Sequence, residues 1–245
     1  MQTYCVNHFH ILKSYIPNLL TLSNLACGLL SIIAIFNGDY ILVAWLIGLS
    51  LVFDFLDGFA ARMLGVHSEL GKQLDSLADL VSFGVVPGLF MFELFQMSWM
   101  SGEPTVEFLP YMALLIPLFS ALRLAKFNID TRQADYFIGM PTPANTIFIL
   151  SIGLMAVYAD EGTVKNILLH PFFLSALTVI TSFLLVAELP LMSLKIKNLK
   201  WGENKGRIVL LLGIALLLIA FRFRALAFVI PLYLILSLIF KPNRT

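Results

Sequence analysis

The sequence predicts an all-α membrane protein, a polytopic bundle of about eight transmembrane helices. Of its 245 residues, 59% are apolar and only 13% are charged, whereas about a quarter of the residues in an average soluble domain carry a charge. The apolar residues fall in runs about as long as one membrane crossing, and these runs lack the alternation of transmembrane barrel strands. These observations exclude a soluble domain and make the lipid bilayer the partner of most of the surface.

The spans follow one another through short polar breaks, such as the turn formed by Asn37, Gly38 and Asp39. Arg222 and Arg224 interrupt the last apolar stretch, so this stretch forms either two spans or a short re-entrant hairpin after six firmer spans. The predicted spans are 17–36, 40–63, 72–96, 107–127, 143–159, 169–190, 207–221 and 224–240.

The N-terminal segment has a pattern of its own. Phe9, Leu12, Tyr15 and Ile16 recur at helical spacing, which predicts a short helix lying on the cytoplasmic interface of the membrane, with a disordered tail as the alternative. We expect a single integral membrane domain over the whole chain. Its parts are an interfacial segment (1–16), a six-helix core (17–190) and a C-terminal helical extension (191–245).

The positions of the basic residues predict the orientation of the chain. Lys and Arg fall in the two termini and in alternate connections between spans, with Lys165, Arg222 and Arg224 as the exceptions. Because basic loops stay on the cytoplasmic side, both termini are expected in the cytoplasm, with the protein in the cytoplasmic (inner) membrane. The net charge of +1 provides no basic field for nucleic acid, which is excluded as a partner.

Four aspartates stand out in a chain with so few charges. Asp54 and Asp57 are three residues apart at the end of the second span, and Asp75 and Asp79 are four apart at the start of the third. Both spacings place the two carboxylates of a pair on one helix face, one turn apart. The short link between the spans makes the two helices antiparallel neighbours. The four carboxylates are therefore expected to converge near the cytoplasmic edge of the membrane.

Such carboxylates repel one another, so they must be protonated, paired with cations or bound to metal ions. Only Arg62 and Lys72 are nearby in the sequence. All-oxygen ligands suit hard divalent cations, and four carboxylates are enough to hold two of them. We therefore predict a site for two divalent cations, Mg²⁺ or Mn²⁺, of the kind that clamps a phosphate during displacement.

Small and polar side chains accompany the acids. Gly58, Ala61 and Gly71 would let a flat ligand approach the helices closely, or would serve helix packing alone. Arg62 would meet a phosphate, or would be a simple inside-positive anchor. The polar residues that share one face of the first span would bind nucleotide or ribose, or would hydrogen-bond other helices. These residues are Asn18, Thr21 and Asn24.

The whole stretch from Asp54 to Asp79 reads D-x-x-D-G-x-x-A-R, eight residues, then G-x-x-x-D-x-x-x-D. It resembles, position for position, the signature of the CDP-alcohol phosphatidyltransferase family. The resemblance implies a six-helix core that binds a CDP-linked lipid at its cytoplasmic side, with two divalent metals held by the four aspartates. It further implies that Asp79 is the general base, that Gly58 and Ala61 receive the cytosine, and that Arg62 meets the phosphates. Gly71 is a further residue expected to bind CDP-diacylglycerol.

Flanking segments resemble the branch of this family that uses serine as acceptor. The implied reaction is direct displacement, in which the serine hydroxyl attacks CDP-diacylglycerol and yields phosphatidylserine and CMP. Arg123 and Lys126, one helical turn apart, would hold the serine carboxylate, hold the lipid phosphate, or serve only the inside-positive bias. We expect the resemblance to cover about 16–145. The flanking segments are 16–28, 82–88, 121–128 and 137–144.

Other functions remain as alternatives. Within the family, the acceptor could be inositol or glycerol 3-phosphate. An intramembrane prenyltransferase also uses aspartate-rich helix ends, but gives no reason for the G-x-x-A-R element. An ion-coupled transporter would carry its acids near the bilayer midplane between internal repeats, whereas here they lie at span ends. The expected partners are CDP-diacylglycerol, L-serine and the bilayer, with a homodimer as the candidate assembly.

Overall fold

The computed structural model describes residues 2–66, 68–100, 107–130, 137–160, 162–191 and 201–240. This part of the chain is helical throughout, apart from connecting turns and one pair of two-residue strands. The predicted all-α class is confirmed.

The elements are numbered here in chain order. They are α1 Gln2–Phe36, α2 Tyr40–Leu64, α3 Glu69–Leu80, a π-helical segment Val81–Val85, α4 Val86–Met100, a 3₁₀ segment Leu109–Leu114, α5 Leu115–Ile129, β1 Phe137–Ile138, α6 Thr142–Tyr158, α7 Thr163–Leu168, α8 Pro171–Val186, β2 Pro190–Leu191, α9 Trp201–Phe221, a 3₁₀ turn Arg222–Ala225 and α10 Leu226–Ile239.

Four helical stretches among the described residues are long and apolar enough to cross a membrane, and three further apolar helices are shorter. The chain is an integral membrane protein, while the count of eight spans stays a prediction. The long stretches are Tyr15–Phe36, Tyr40–Leu64, Glu69–Met100 and Leu109–Ile129, and the shorter ones are Thr142–Tyr158, Pro171–Val186 and Leu226–Ile239.

Two predicted boundaries differ from the structure. The sequence predicts a separate interfacial helix within 1–16, whereas α1 runs without a break from Gln2 into the first span, since no Gly or Pro occurs before Pro17. The predicted span 169–190 ends early, because α8 stops at Val186 and the residue before Pro190 is biased away from helix. The chain there turns back to pair β2 with β1 in antiparallel register.

The turn between α2 and α3 is what brings the aspartates together. Gly65 ends α2 in the left-handed conformation at φ 64°, which glycine adopts without steric cost. Three residues later Ser68 caps α3, its hydroxyl accepting a hydrogen bond from the Gly71 N–H at 2.9 Å. The two helices both pack against α1, and the turn brings their acidic residues together there.

The centre of the bundle is formed by α4, and several of its large side chains are fully buried. Phe90, Met91 and Leu94 are all inaccessible to solvent, so α4 packs against other helices on several sides. On the outside of the bundle, side chains such as Trp45 and Phe172 are largely exposed, as expected for a surface that faces lipid. The C-terminal extension forms a hairpin in which α9 packs on α10, and α10 packs on α6 and β2.

Candidate active site

A cavity of about 340 Å³ opens where α2 ends and α3 begins, against the middle of α1. Seven of the residues that the sequence singled out line it, and so do several that the sequence did not single out as binding residues. The predicted ones are Asn18, Thr21, Asp57, Gly58, Ala61, Gly71 and Asp75, and the others are Pro17, Val66, Ser68, Glu69 and Lys72.

Three aspartates form a tight cluster at one side of this cavity. Carboxylate oxygens of Asp54, Asp57 and Asp75 lie within 4.8 Å of one another, and Asp57 is only 6% exposed. One oxygen of Asp75, Oδ1, is buried and has no hydrogen-bond partner in the described part of the chain. Three charged carboxylates facing each other would repel one another, and a cation between them would relieve that repulsion. The donor set therefore fits a hard divalent ion such as Mg²⁺ or Mn²⁺.

The fourth aspartate is set apart from these three. Asp79 lies one turn beyond Asp75 on α3, and its Oδ1 accepts a hydrogen bond from Asn24 Nδ2 at 3.1 Å. It remains close enough to Asp54 and Asp75 for the like charges to interact. Among the described residues, the predicted set of four thus forms three clustered carboxylates and one adjacent carboxylate that an amide orients.

The polar face of α1 binds the aspartates directly. Thr21 Oγ1 donates to Asp57 Oδ2 at 2.6 Å, while Asn24 donates to Asp79. Asn24 is itself fixed from two helices, because the Ser50 hydroxyl donates to its side-chain oxygen and the Ser82 hydroxyl donates to its backbone carbonyl at 3.1 Å. Of the two predicted roles for this face, interhelical hydrogen bonding is observed, and it orients the carboxylates.

The structure explains the absence of a side chain differently at the two glycines of the motif, Gly58 and Gly71. A Cβ on Gly71 would lie 2.9 Å from Ser68 Oγ and 3.2 Å from Asn18 Oδ1, so packing alone explains this glycine. A Cβ on Gly58 would meet only the Arg62 guanidinium, at 3.5 Å. Helix packing therefore does not require a glycine at 58, and its missing side chain instead keeps the cavity open.

The cations near the cavity are exposed. Arg62 is exposed and folds back over Gly58. Lys72, a charge near the aspartates in the sequence, lines the cavity. Its Nζ donates to the Asn128 carbonyl at 2.8 Å. Asn128 Nδ2 in turn donates to Ser76 Oγ at 2.8 Å, which ties the start of α3 to the end of α5. Its place in the sequence could have indicated that Lys72 lines the cavity, because Lys72 directly follows Gly71 of the motif.

Arg123 and Lys126 occupy different environments on α5. Arg123 is 7% exposed, and its Nη1 donates to the Leu185 carbonyl of α8 at 3.2 Å. Lys126 is exposed in the last turn of α5. Neither side chain lines the cavity.

Two buried hydroxyls near Arg123 have no hydrogen-bond partner among the described residues. Ser120 lies one turn before Arg123 on α5, and Ser182 lies one turn before Leu185 on α8. The sequence had not singled out either serine.

A π-helical segment joins these two sides of the bundle. It runs over Val81–Val85 and begins two residues after Asp79, and single π-helical turns are frequent at functional sites. The Phe83 carbonyl accepts a hydrogen bond from Thr146 Oγ1 at 2.9 Å. A Cβ on Gly84 would lie 3.0 Å from the Ser120 Cβ, so Gly84 permits close contact with α5. The segment thus connects the aspartate cluster to the surroundings of Arg123.

The sequence is similar to known proteins over most of its length. A family model for CDP-alcohol phosphatidyltransferase matches residues 14–184, so the resemblance extends beyond the expected limit near residue 145. CDP-diacylglycerol–serine O-phosphatidyltransferase of Helicobacter pylori is 32% identical over 227 residues, covering 91% of this chain and 89% of that protein. The Bacillus subtilis protein of the same name is 35% identical over 153 residues, covering 61% and 82%. An archaetidylserine synthase of Methanothermobacter thermautotrophicus is 33% identical over 151 residues, covering 59% and 60%.

Proposed function

The chain belongs to the CDP-alcohol phosphatidyltransferase family, and we propose that it transfers the phosphatidyl group of CDP-diacylglycerol to the hydroxyl of L-serine, giving phosphatidylserine and CMP. The observation that carries this proposal is the cluster of three aspartates beside a cavity, with a fourth carboxylate one turn away. The names of the relatives supply serine as the acceptor.

The cavity is the proposed site of the CDP group. Gly58 and Ala61 leave room for the cytosine at its wall, and Asn18 offers a hydrogen-bonding group from α1. Arg62 and Lys72 supply positive charge beside it for the diphosphate. The diacylglycerol part of the substrate stays in the bilayer, which the exposed apolar surface of the bundle contacts.

Asp54, Asp57 and Asp75 are the residues that would hold a divalent cation, Mg²⁺ or Mn²⁺, with Asp79 needed for a second one. Such ions supply charge neutralisation and polarisation of the diphosphate. Thr21 fixes the orientation of Asp57 by its hydrogen bond, as groups behind a metal ligand commonly do.

Asp79 is the proposed general base. Its carboxylate takes the proton of the serine hydroxyl while the serine oxygen bonds to the phosphorus that bears diacylglycerol. The bond from that phosphorus to the bridging oxygen breaks, and CMP leaves with the electron pair. The Asn24 amide holds one oxygen of Asp79, which orients the carboxylate for proton transfer.

Arg123 is the proposed partner of the serine carboxylate. It is a buried cation, and a guanidinium can bind a carboxylate through two parallel hydrogen bonds. Lys126, being exposed, is proposed to serve the orientation of the chain. By the charge pattern of the loops, the site faces the cytoplasm, where CMP is released.

The experiment is CMP release from CDP-diacylglycerol by the purified protein in detergent with Mg²⁺ or Mn²⁺. Serine, inositol, glycerol 3-phosphate and no acceptor are compared at equal concentration. Release that depends on serine supports the proposal. Release that depends on another alcohol would move the chain to a different acceptor within its family, and no release with any acceptor would overturn the proposed activity.

A further inference from the structure

The start of α6 lies near both parts of the proposed active site. Thr146, in the second turn of α6, donates from Oγ1 to the Phe83 carbonyl at 2.9 Å, and Phe83 follows Asp79 by about one turn. The chain enters α6 past the guanidinium, since a Cβ on Gly139 would lie 3.2 Å from Arg123 Nη1. The first two turns of α6 are therefore close to the proposed base and to the buried cation.

Asn145, the residue before Thr146, has a buried amide that makes no hydrogen bond among the described residues. Its Oδ1 and its Nδ2 both lack a partner, and the residue is 0% exposed. The neighbouring hydroxyl of Thr146, by contrast, is bonded to Phe83. A buried donor or acceptor without a partner is unfavourable, and one side chain here carries both. The amide needs a polar group that the described part of the chain does not supply.

Two further polar groups without a described partner lie on the helices next to α6. The Ser120 hydroxyl oxygen on α5 would lie 3.4 Å from a Cβ on Gly84, the residue after Phe83. Ser182 on α8 precedes Leu184 by two residues, and the Leu184 carbonyl accepts a hydrogen bond at 2.9 Å from the Met140 N–H, just before α6. Both serine hydroxyls are buried. Three helices of this part of the bundle thus each carry an unsatisfied polar side chain.

We propose that Asn145 binds the acceptor and determines its specificity, with the amide contacting both charged groups of an amino acid. This inference rests on the proposed function, because it takes serine as the acceptor. Oδ1 accepts a hydrogen bond from the ammonium group, and Nδ2 donates to the carboxylate that Arg123 also meets. The serine hydroxyl is then left to face Asp79, the proposed base.

An amide in this place favours a zwitterion over the other alcohols that the family suggests. Inositol offers only neutral hydroxyls, and glycerol 3-phosphate has no ammonium group. Hydrogen bonds to charged groups are about twice as strong as those between neutral groups. A buried site built for such bonds discriminates strongly against a ligand that lacks them, because its own polar atoms then stay poorly paired.

The first test is Asn145→Leu, which keeps the approximate size of the side chain and removes both polar atoms. The KM for serine should rise at least tenfold, because two hydrogen bonds to charged groups are lost, while the KM for CDP-diacylglycerol stays within about twofold. Asn166→Leu, at an exposed position on α7, is the matched control and should change neither KM. An unchanged serine KM in Asn145→Leu, or an equal rise in both KM values, would overturn the inference.

Thermal unfolding separates a binding role from a structural one. Without serine the amide is buried and unpaired, so Asn145→Leu should raise the Tm by about 2–4 °C. Saturating serine, added together with CMP, should raise the Tm of the unaltered protein above that with CMP alone and should leave the Tm of the variant unchanged. A lower Tm of the variant with an undiminished response to serine would assign Asn145 to helix packing and overturn the inference.

A second variant, Asn145→Asp, keeps the shape and an accepting oxygen but replaces the donor by a negative charge. Ethanolamine has the ammonium group of serine without its carboxylate, and 3-hydroxypropionate has the carboxylate without the ammonium group. In this variant the concentration that halves phosphatidylserine formation should rise at least tenfold for 3-hydroxypropionate, because like charges repel, and less than about threefold for ethanolamine. Equal changes for the two compounds would contradict the assignment.

The proposed function is judged separately, on the unaltered protein. Serine-dependent CMP release by that protein would leave the function standing whatever the variants show. Its absence would overturn the function, and absence of any effect of serine on the Tm of that protein would overturn the role of Asn145 as well.

Discussion

The two sides of the bundle are built from opposite charges and by different routes along the chain. On one side, α1, α2 and α3 surround a cavity with clustered carboxylates. On the other, α5 and α8 enclose the buried guanidinium of Arg123. The aspartates lie on two consecutive helices joined by a tight turn, whereas Arg123 meets a carbonyl 62 residues away.

The difference shows how the chemistry is divided. The side with carboxylates suits cations and, with them, the diphosphate of the donor. The side with the guanidinium suits a small anionic group such as the carboxylate of the acceptor. The π-helical segment Val81–Val85, which begins two residues after Asp79, contacts α5 and α6. The proposed base, Asp79, therefore lies between the side with carboxylates and the side with the guanidinium. Four predictions test this division, in order of decreasing effect.

The largest effect is expected on the side with carboxylates. Asp75→Asn removes one ligand charge from the cluster, so CMP release should fall about a thousandfold. Asp39→Asn is the matched control, because Asp39 is exposed and only caps α2 through Leu42 N–H at 3.0 Å, a role that asparagine also fills. Near-normal turnover of Asp75→Asn without added divalent ion would refute the metal site.

The second prediction separates a base from a ligand. Asp79→Asn keeps the shape of the side chain but cannot accept the serine proton, so turnover should fall at least a hundredfold while nucleotide binding changes little. Asp57→Asn, measured by the same binding and CMP-release assays, should lose both. If Asp79→Asn lost binding as fully as Asp57→Asn, Asp79 would act as a ligand and the proton would leave by another route.

The third prediction compares the two cations of α5. Arg123→Met should raise the KM for serine more than tenfold with little change in that for CDP-diacylglycerol, because a buried guanidinium binds the acceptor's carboxylate. Lys126→Met, which changes an exposed side chain, should alter both KM values less than about threefold. A rise confined to the KM for CDP-diacylglycerol would instead assign Arg123 to the lipid phosphate.

The smallest effect is expected for a residue that hydrogen-bonds a proposed metal ligand without binding the metal itself. Thr21→Val keeps the shape of the side chain and deletes the 2.6 Å hydrogen bond to Asp57, so the concentration of Mn²⁺ for half-maximal activity should rise about tenfold. Ser23→Ala is the control, because its hydroxyl bonds only its own helix, at the Leu19 carbonyl. An unchanged Mn²⁺ requirement in Thr21→Val would show that the hydrogen bond serves α1–α2 packing alone.

The sequence by itself determined the membrane class, the helical fold and the side with carboxylates. Those predictions succeed because they depend on local quantities: the length of an apolar run, and the spacing of Asp54, Asp57 and Asp75 on neighbouring helices. A helix has a fixed rise and turn, so spacing along the chain becomes position in space. The turn at Gly65 then makes the two acidic faces meet.

Only the tertiary structure decided what lies between distant segments. It separated Asp79 from the other three acids and joined it to Asn24, 55 residues away. It buried Arg123 against the end of α8 and left Lys126 exposed. The spacing rules that locate neighbours within a helix say nothing of which face of a distant helix will pack there, because that depends on the shape and burial of the whole bundle.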